Sequence, residues 1–340
     1  LVDTRRGPDT WAVLTGDTLF VGDVARPDLA IEKTEGARGI FRSLRNQLLS
    51  LPDTVEVWPG HLGGSMCGGP GMDMKTSSTI GYERHYNPIL AIEAEDEFVE
   101  QALASLGPQP PNFQTIVDIN RGPLMADGVQ LDALSPRQVE SRRQAGALLV
   151  DVRSDQQFDD AHIDGAISNS LLRAGFGTKL AWIADLEQEV VVIGRDDADG
   201  RRAGRLASAV GIQWLGGYLH GGMTSWHQEK RPVRRTERLE IDMLPAVLSD
   251  RPDLQILDVR DPAEWDSGYL PRAVLQTWHD ISAIPDSLDP AGPIAVICGS
   301  GQRAAIAASL LEHHGASQVI HVVSGGIPKL AKLGVRLQTR

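Results

Sequence analysis

The chain reads as an α/β protein with parallel sheets, and three observations predict this. Short apolar runs of β-forming residues alternate with helical stretches through residues 132–340. That region holds two copies of one pattern, spaced by roughly one hundred residues. In each copy a glycine-bearing loop directly follows a strand and opens a helix, so sites belong at the carboxyl ends of strands.

The segment ahead of the repeat has a different pattern. Leu1-Val2-Asp3-Thr4, a Gly/Pro turn and Thr10-Trp11-Ala12-Val13-Leu14-Thr15 predict a β-hairpin whose second strand ends at Gly16-Asp17. Ile40, Phe41, Leu44, Leu48 and Leu49 share one face of a helix. Another strand, Val55-Glu56-Val57-Trp58, ends at Pro59-Gly60-His61. Asp17 and His61 therefore both sit at strand ends, where loops can bring them together. Cys67 lies in the flexible Ser65-Met66-Cys67-Gly68-Gly69 and reads as a spectator or a contact to a thiol substrate, not a nucleophile. Ile89 to Ile92 and Phe98, Val99, Ala102, Leu103 and Leu106 predict helices packing on this segment, ended by Gly107-Pro108-Gln109-Pro110-Pro111. Domain boundaries fall in polar stretches near 131 and 234, giving domains 1–130, 132–232 and 236–340.

Within the repeat, Leu148-Leu149-Val150-Asp151-Val152-Arg153 matches Gln255-Ile256-Leu257-Asp258-Val259-Arg260. Gln157-Phe158-Asp159 matches Glu264-Trp265-Asp266, and His162-Ile163-Asp164-Gly165-Ala166 matches Tyr269-Leu270-Pro271-Arg272-Ala273. Val190-Val191-Val192-Ile193-Gly194 matches Ile294-Ala295-Val296-Ile297-Cys298, helices from Arg202 and Arg303 follow, and Gly221-Gly222 matches Gly325-Gly326. Asp151 and Asp258 are expected to hold their loops by hydrogen bonds or a salt bridge, and His162 to be a turn residue with a satisfied hydrogen bond.

The second copy carries the strongest chemical signal. Ile294-Ala295-Val296-Ile297 delivers Cys298 into Gly299-Ser300-Gly301-Gln302-Arg303 and an Ala-rich helix. Backbone N–H groups of such a loop converge, and the helix N-terminus adds positive potential. Both favour a thiolate, the nucleophilic form of cysteine. The first copy departs here: Gly194 stands at the Cys position, and nine residues run from Gly194 to Arg202, with Asp196, Asp197 and Asp199 among them. With no thiol and with carboxylates that repel an anionic donor, this copy is expected to be catalytically silent.

Composition narrows the partners. A net charge of -12 over 340 residues disfavours nucleic acid, and no apolar run suits a bilayer span. Two cysteines far apart in sequence read as free thiols in a reducing, cytoplasmic setting.

The two copies resemble rhodanese domains, through Asp-Val-Arg after a strand, the acidic-aromatic helix, the (His/Tyr)-(Ile/Leu)-x-x-Ala turn and the strand-loop-helix site. The resemblance implies sulfur transfer. Cys298 would take a sulfane sulfur from thiosulfate or a small persulfide, hold it as a persulfide, and pass it to a thiol such as glutathione. Arg303 would orient the anion or steady the persulfide, and the backbone of Gly299, Ser300, Gly301 and Gln302 would cradle the outer sulfur. The six residues from Cys298 to Arg303 match the loop length of sulfur-carrying rhodaneses; related phosphatases have one more.

Residues 1–130 resemble the C-terminal half of a metallo-β-lactamase αββα fold, on Thr15-Gly16-Asp17-Thr18-Leu19-Phe20 and Pro59-Gly60-His61. Arg26-Pro27-Asp28 and Ser78-Thr79-Ile80-Gly81-Tyr82-Glu83-Arg84-His85-Tyr86-Asn87-Pro88 further resemble persulfide dioxygenase-type fusions with rhodanese domains. The resemblance implies metal ligation by Asp17, and by His61 in dinuclear relatives such as glyoxalase II. The family's His-x-His-x-Asp-His motif has no counterpart here, since the 16 residues before Asp17 contain no His. Asp17 and His61 fall short of the roughly three ligands a catalytic metal needs. Iron or zinc is thus expected in a full-length protein and none in this chain, read as a fragment that begins inside that fold. The lost opposing sheet should leave apolar strand faces exposed, with residues 1–75 least stable and prone to association, up to a homo-oligomer. The leading expectation is an enzyme of reduced-sulfur metabolism. The alternatives are a glyoxalase II-like hydrolase with accessory rhodanese domains and a non-catalytic persulfide-binding module.

Overall fold

The computed structural model describes residues 1–29, 32–63, 65, 67–69, 71–104, 106, 108–122, 131–173, 175–185, 188–212 and 214–339. Met66, the breaker Gly107 and the stretch up to the boundary at 130 lie outside the described residues. The chain forms two compact units, residues 1–109 and 110–340.

The first unit is built on β1 (Ala12–Gly16), α1 (Lys33–Ser43), β2 (Glu56–Pro59), β3 (Ser78–Thr79), α2 (Ile80–Tyr86) and α3 (Glu95–Ala104). The expected hairpin leads into β1: its arms join at an antiparallel Val2–Thr10 bridge, and Trp11 N donates to the Leu1 carbonyl at 3.1 Å. On its other edge β1 pairs in parallel with β2, which pairs antiparallel with β3. The apolar stripe on α1 and its π-helical extension over Leu44–Leu48 explains this: it packs against the inner face of the sheet, in a core of Leu19, Val24, Leu44, Val55, Val57, Ile80 and Phe98. The outer face keeps Leu14 and Trp58, register partners, at 64% and 45% exposure. Apolar strand surface is therefore open to solvent, as expected.

The second unit begins with α4 (Phe113–Arg121). This helix lies beyond the Gly107–Pro111 break; Asn112 donates to the Val210 carbonyl and Thr115 and Ile119 lie against Gly211, so it belongs with the repeat. The first copy follows as β4 (Ala133–Leu134), α5 (Pro136–Gln144), β5 (Leu148–Asp151), α6 (Asp155–Asp160), β6 (Ile167–Ser168), α7 (Phe176–Ile183), β7 (Val190–Ile193), α8 (Asp197–Ser208), β8 (Leu215–Leu219) and α9 (Gly222–Gln228). The second is β9 (Glu237–Glu240), α10 (Leu244–Asp250), β10 (Gln255–Asp258), α11 (Pro262–Asp266), β11 (Val274–Leu275), β12 (Pro293–Ile297), α12 (Gln302–His313), β13 (Gln318–Val323) and α13 (Ile327–Lys332). Their sheets have the same strand order, β4-β8-β7-β5-β6 and β9-β13-β12-β10-β11, and every pairing in both is parallel. Strands buried on both faces explain why β5, β7 and β12 read as continuous apolar runs.

The two copies share a core. One apolar cluster joins Val150, Ile167, Leu180 and Ala203 of the first copy to Val259, Ile294, Ala304 and Leu311 of the second. α12 lies at its centre, buried from Ala304 through Glu312, and Ser309 Oγ on it accepts the backbone N–H of Ser168 in β6. A helix apolar on nearly all sides is stable only when enclosed, and the first copy supplies the enclosure.

Candidate active site

Asp258 and Asp151 do hold the turns after β10 and β5. Arg260 grips Asp258 through Nε and Nη2 at 2.9 and 2.8 Å and donates onward to the Glu264 and Gly268 carbonyls. Arg153 repeats this on Asp151 and the Ala161 carbonyl. Both carboxylates are buried, so each pair offsets a large desolvation cost by complete hydrogen bonding. His162 is also as expected, donating from Nδ1 to the Phe158 carbonyl at 2.9 Å and stacking on the Phe158 ring.

Strand β12 ends at Ile297 and delivers Cys298 into its loop. The sulfur faces the loop amides: Gly301 N donates to Sγ at 3.1 Å and Ser300 N at 3.5 Å. Gly301 adopts φ +93°, a conformation that glycine alone reaches cheaply, and caps α12. Behind the loop, Gly326 presses on the Cys298 peptide, and Ile327 N donates to the Cys298 carbonyl at 3.1 Å. Cys298 itself is fully covered.

Arg303, expected to orient the anion or steady the persulfide, is tied to carboxylates. Its guanidinium is held by Asp261 at 2.7 Å and by both oxygens of Glu264 at 2.5 and 2.8 Å, with Nη2 poised over Gly299. Burial works against its charge, but bonding to Glu264 and the pull of Cys298 and Asp261 outweigh it and hold its pKa above the ordinary value. Burial likewise opposes the Glu264 charge, yet Arg303 keeps that carboxyl below its usual range. Arg303 thus acts on Cys298 through its field while its hydrogen bonds go to carboxylates.

Cations next to this loop come from the first copy. A pocket lined by Ser168, Asn169, Ser170, Arg173, Lys179 and Gln302 opens between β6, α7 and the start of α12. Arg173 is paired there with Asp155 at 3.3 Å. Burial lowers the Lys179 pKa, Arg173 and Arg303 add to that, and the charge of Cys298 opposes it. Neither Arg173 nor Lys179 is marked by a motif, which explains their absence from the sequence-based site; only the docking of the two copies places them there.

The loop of the first copy needs a correction. Counting nine residues to Arg202 overstates it, because Asp196 caps α8 by accepting from Ala198 N and Asp199 N, so the helix starts at Asp197. A side chain at Gly194 would meet the Asp199 Cβ at 2.7 Å and the Asp196 carbonyl at 3.0 Å. Asp199 is itself tied to Arg195 at 2.7 Å. No thiol and no room for one exist where the second copy carries Cys298.

In the first unit the two strand ends do meet: His61 Nδ1 lies 2.7 Å from Asp17 Oδ1. Cys67 joins them, the ligand atoms of all three lying within 4.8 Å of one another. Burial pushes the Cys67 thiol pKa up; Ser65 opposes this and Asp17 adds to it. One carboxylate, one imidazole and one thiol form a donor set that fits zinc with an open position. A mononuclear iron site of the two-His, one-carboxylate kind is not matched among the described residues, where a single His reaches the cluster. The sequence hid Cys67 because its glycine-rich loop has no periodicity to aim it.

Comparison with known proteins agrees with this architecture. A crystal structure of a metallo-beta-lactamase from Staphylococcus aureus is similar over 64% of this chain and 59% of that one, with 25% identity and a TM-score of 0.51. An uncharacterised Mycobacterium leprae protein is 40% identical over 82 residues, 24% of this chain and 30% of its own length. A candidate sulfur carrier protein of Bacillus subtilis is 25% identical over 125 residues, 35% of this chain and 68% of its own. The chain thus spans under a third of the mycobacterial relative and about three-fifths of the staphylococcal structure. No helix among the described residues is long and apolar enough to cross a membrane. The rhodanese-like domain family matches residues 135–229 and 245–333, the two copies whose sheets and loops are described above, and the chain belongs to that family, joined to a segment of metallo-β-lactamase fold.

Proposed function

We propose that the protein is a sulfurtransferase whose carrier is a persulfide on Cys298. The observation that carries this reading is the sulfur at the end of β12 facing two loop amides, with a helix N-terminus behind it. In the reaction, the Cys298 thiolate attacks the sulfane sulfur of an anionic donor such as thiosulfate. The donor S–S bond breaks, sulfite leaves with the bonding electron pair, and Cys298 carries the sulfur as a persulfide anion. An acceptor thiolate then attacks the outer sulfur, leaving as a persulfide and returning Cys298 to its thiolate. The Ser300 and Gly301 N–H groups stabilise charge on sulfur at both ends of the cycle. Lys179 and Arg173 supply the positive field that draws the anion, a role given to Arg303 by sequence alone. Glutathione or another small thiol is the acceptor this reading favours.

Cys298→Ser is the direct test. It should abolish thiosulfate-dependent sulfur transfer and the mass increase of one sulfur atom on the protein, while Cys67→Ser leaves both intact. Undiminished transfer by the Cys298→Ser chain rejects the assignment and favours a module that only binds persulfides.

For the first unit, Asp17, His61 and Cys67 would hold a zinc-class ion, which when bound supplies a Lewis acid. One carboxylate, one imidazole and one thiol suit zinc, which keeps the glyoxalase II-like alternative in view for a longer protein.

A further inference from the structure

The Cys-less copy contributes more to the site than enclosure. His321 lies in β13 and is fully buried, a lone imidazole in the apolar run Val319-Ile320-His321-Val322-Val323. Its Nε2 is 2.8 Å from the carbonyl oxygen of Gly301, and its Nδ1 is 2.8 Å from Asp159 Oδ2. Asp159 belongs to α6 of the first copy and is itself buried. Both ring nitrogens face oxygen acceptors, so the ring makes both bonds only when each nitrogen carries a hydrogen. The same Asp159 oxygen takes Arg238 Nη1 at 2.5 Å, which completes the pairing of the buried carboxylate.

Gly301 is the residue whose N–H reaches Cys298 Sγ. Its carbonyl also accepts Ala305 N at 3.0 Å, so the His321 bond is a second, sideways restraint on one peptide. A left-handed glycine at a helix N-terminus has little to hold it otherwise, because it brings no side chain. We propose that Asp159 and His321 form a positioning relay: the first copy holds the imidazole, the imidazole holds Gly301, and Gly301 aims its N–H at the Cys298 sulfur. This rests on the Cys298 reading above and adds a role for the copy that lost its own thiol. Asp159 and His321 are positioning residues; neither touches the sulfur.

The test is a pH titration of thiolate ultraviolet absorbance in the full chain carrying Cys67→Ser, with the same chain carrying Cys298→Ser subtracted. Other charged groups acting on Cys298 are Arg303 and Lys179, with Glu264 and Asp261 behind Arg303, and all stay in place in every variant. Asp159→Asn removes the anionic acceptor. His321→Asn retains a group near Asp159 but falls short of Gly301, whereas His321→Gln can still donate to the Gly301 carbonyl. Losing one N–H bond to a sulfur anion should raise the titration midpoint by about one pH unit in D159N and in H321N. H321Q should stay near the parent, and the D159N/H321N double variant should shift no further than either single one. Midpoints that coincide with the parent in D159N and H321N chains of parental circular dichroism overturn the relay. Should D159N fail to fold, equal midpoints for H321N and H321Q overturn it alone. The readout does not need turnover: a parent lacking sulfur transfer would refute the proposed function, while the titration still decides the relay.

Discussion

Gly326 offers a sharp test of the Cys298 loop, because a single methyl group there strikes the loop backbone first. A Cβ built on Gly326 would lie 1.8 Å from the Cys298 carbonyl oxygen and 2.6 Å from the Gly299 carbonyl carbon. Carbon and oxygen rest about 3.3–3.6 Å apart, so the Cys298–Gly299 peptide must retreat by about 1.5 Å. The backbone of Gly326 is extended, with φ -171°, so alanine incurs no conformational strain and the effect is steric. That retreat breaks the Ile327 N bond to the Cys298 carbonyl and pulls Sγ from Gly301 N, now 3.1 Å away. Misplacing a reacting atom by about 1 Å costs roughly 10²-fold in rate, and overpacking costs about 1–3 kcal/mol in stability. Gly326→Ala should therefore lose at least roughly a hundredfold in sulfur transfer from thiosulfate to cyanide or a thiol, while remaining folded by circular dichroism at assay temperature. A folded G326A chain within twofold of the parent would refute the placement of chemistry at this loop.

Other substitutions probe the surroundings. Lys179→Met should raise the KM for thiosulfate about tenfold with little change in kcat, since its charge is expected to draw the donor and not to act on the breaking bond. Glu264→Gln should be less stable than the parent at about pH 7, the gap closing as pH falls through the folded-state pKa, read from urea midpoints. The sign follows from a folded-state pKa below the ordinary value: the contribution is complete above the unfolded pKa and disappears as pH falls through the folded one. Asp261, raised by burial, acts oppositely, its cost at neutral pH being relieved on acidification. In the first unit, cobalt(II) should bind the full chain with a thiolate-to-metal absorption band that Cys67→Ser removes; an unchanged band would exclude Cys67 as a ligand.

The amino-acid sequence by itself determined the repeat, the buried strands and the loop that presents Cys298, because each is written in contiguous residues. An apolar run, a glycine able to reach positive φ and a helix former suffice to build strand, loop and helix wherever they occur together. That Asp151 and Asp258 hold their turns was legible for the same reason, and their partners proved to be Arg153 and Arg260, two residues away. Asp17 and His61 were legible as strand ends, and the parallel pairing of their strands brings those ends together. Only the tertiary structure decided that Arg303 is taken by Asp261 and Glu264, that Cys67 joins the Asp17–His61 pair, and that Asp159 reaches His321 across 162 positions. Those contacts depend on how whole faces pack, and packing is set by the summed burial of many side chains that no local window contains.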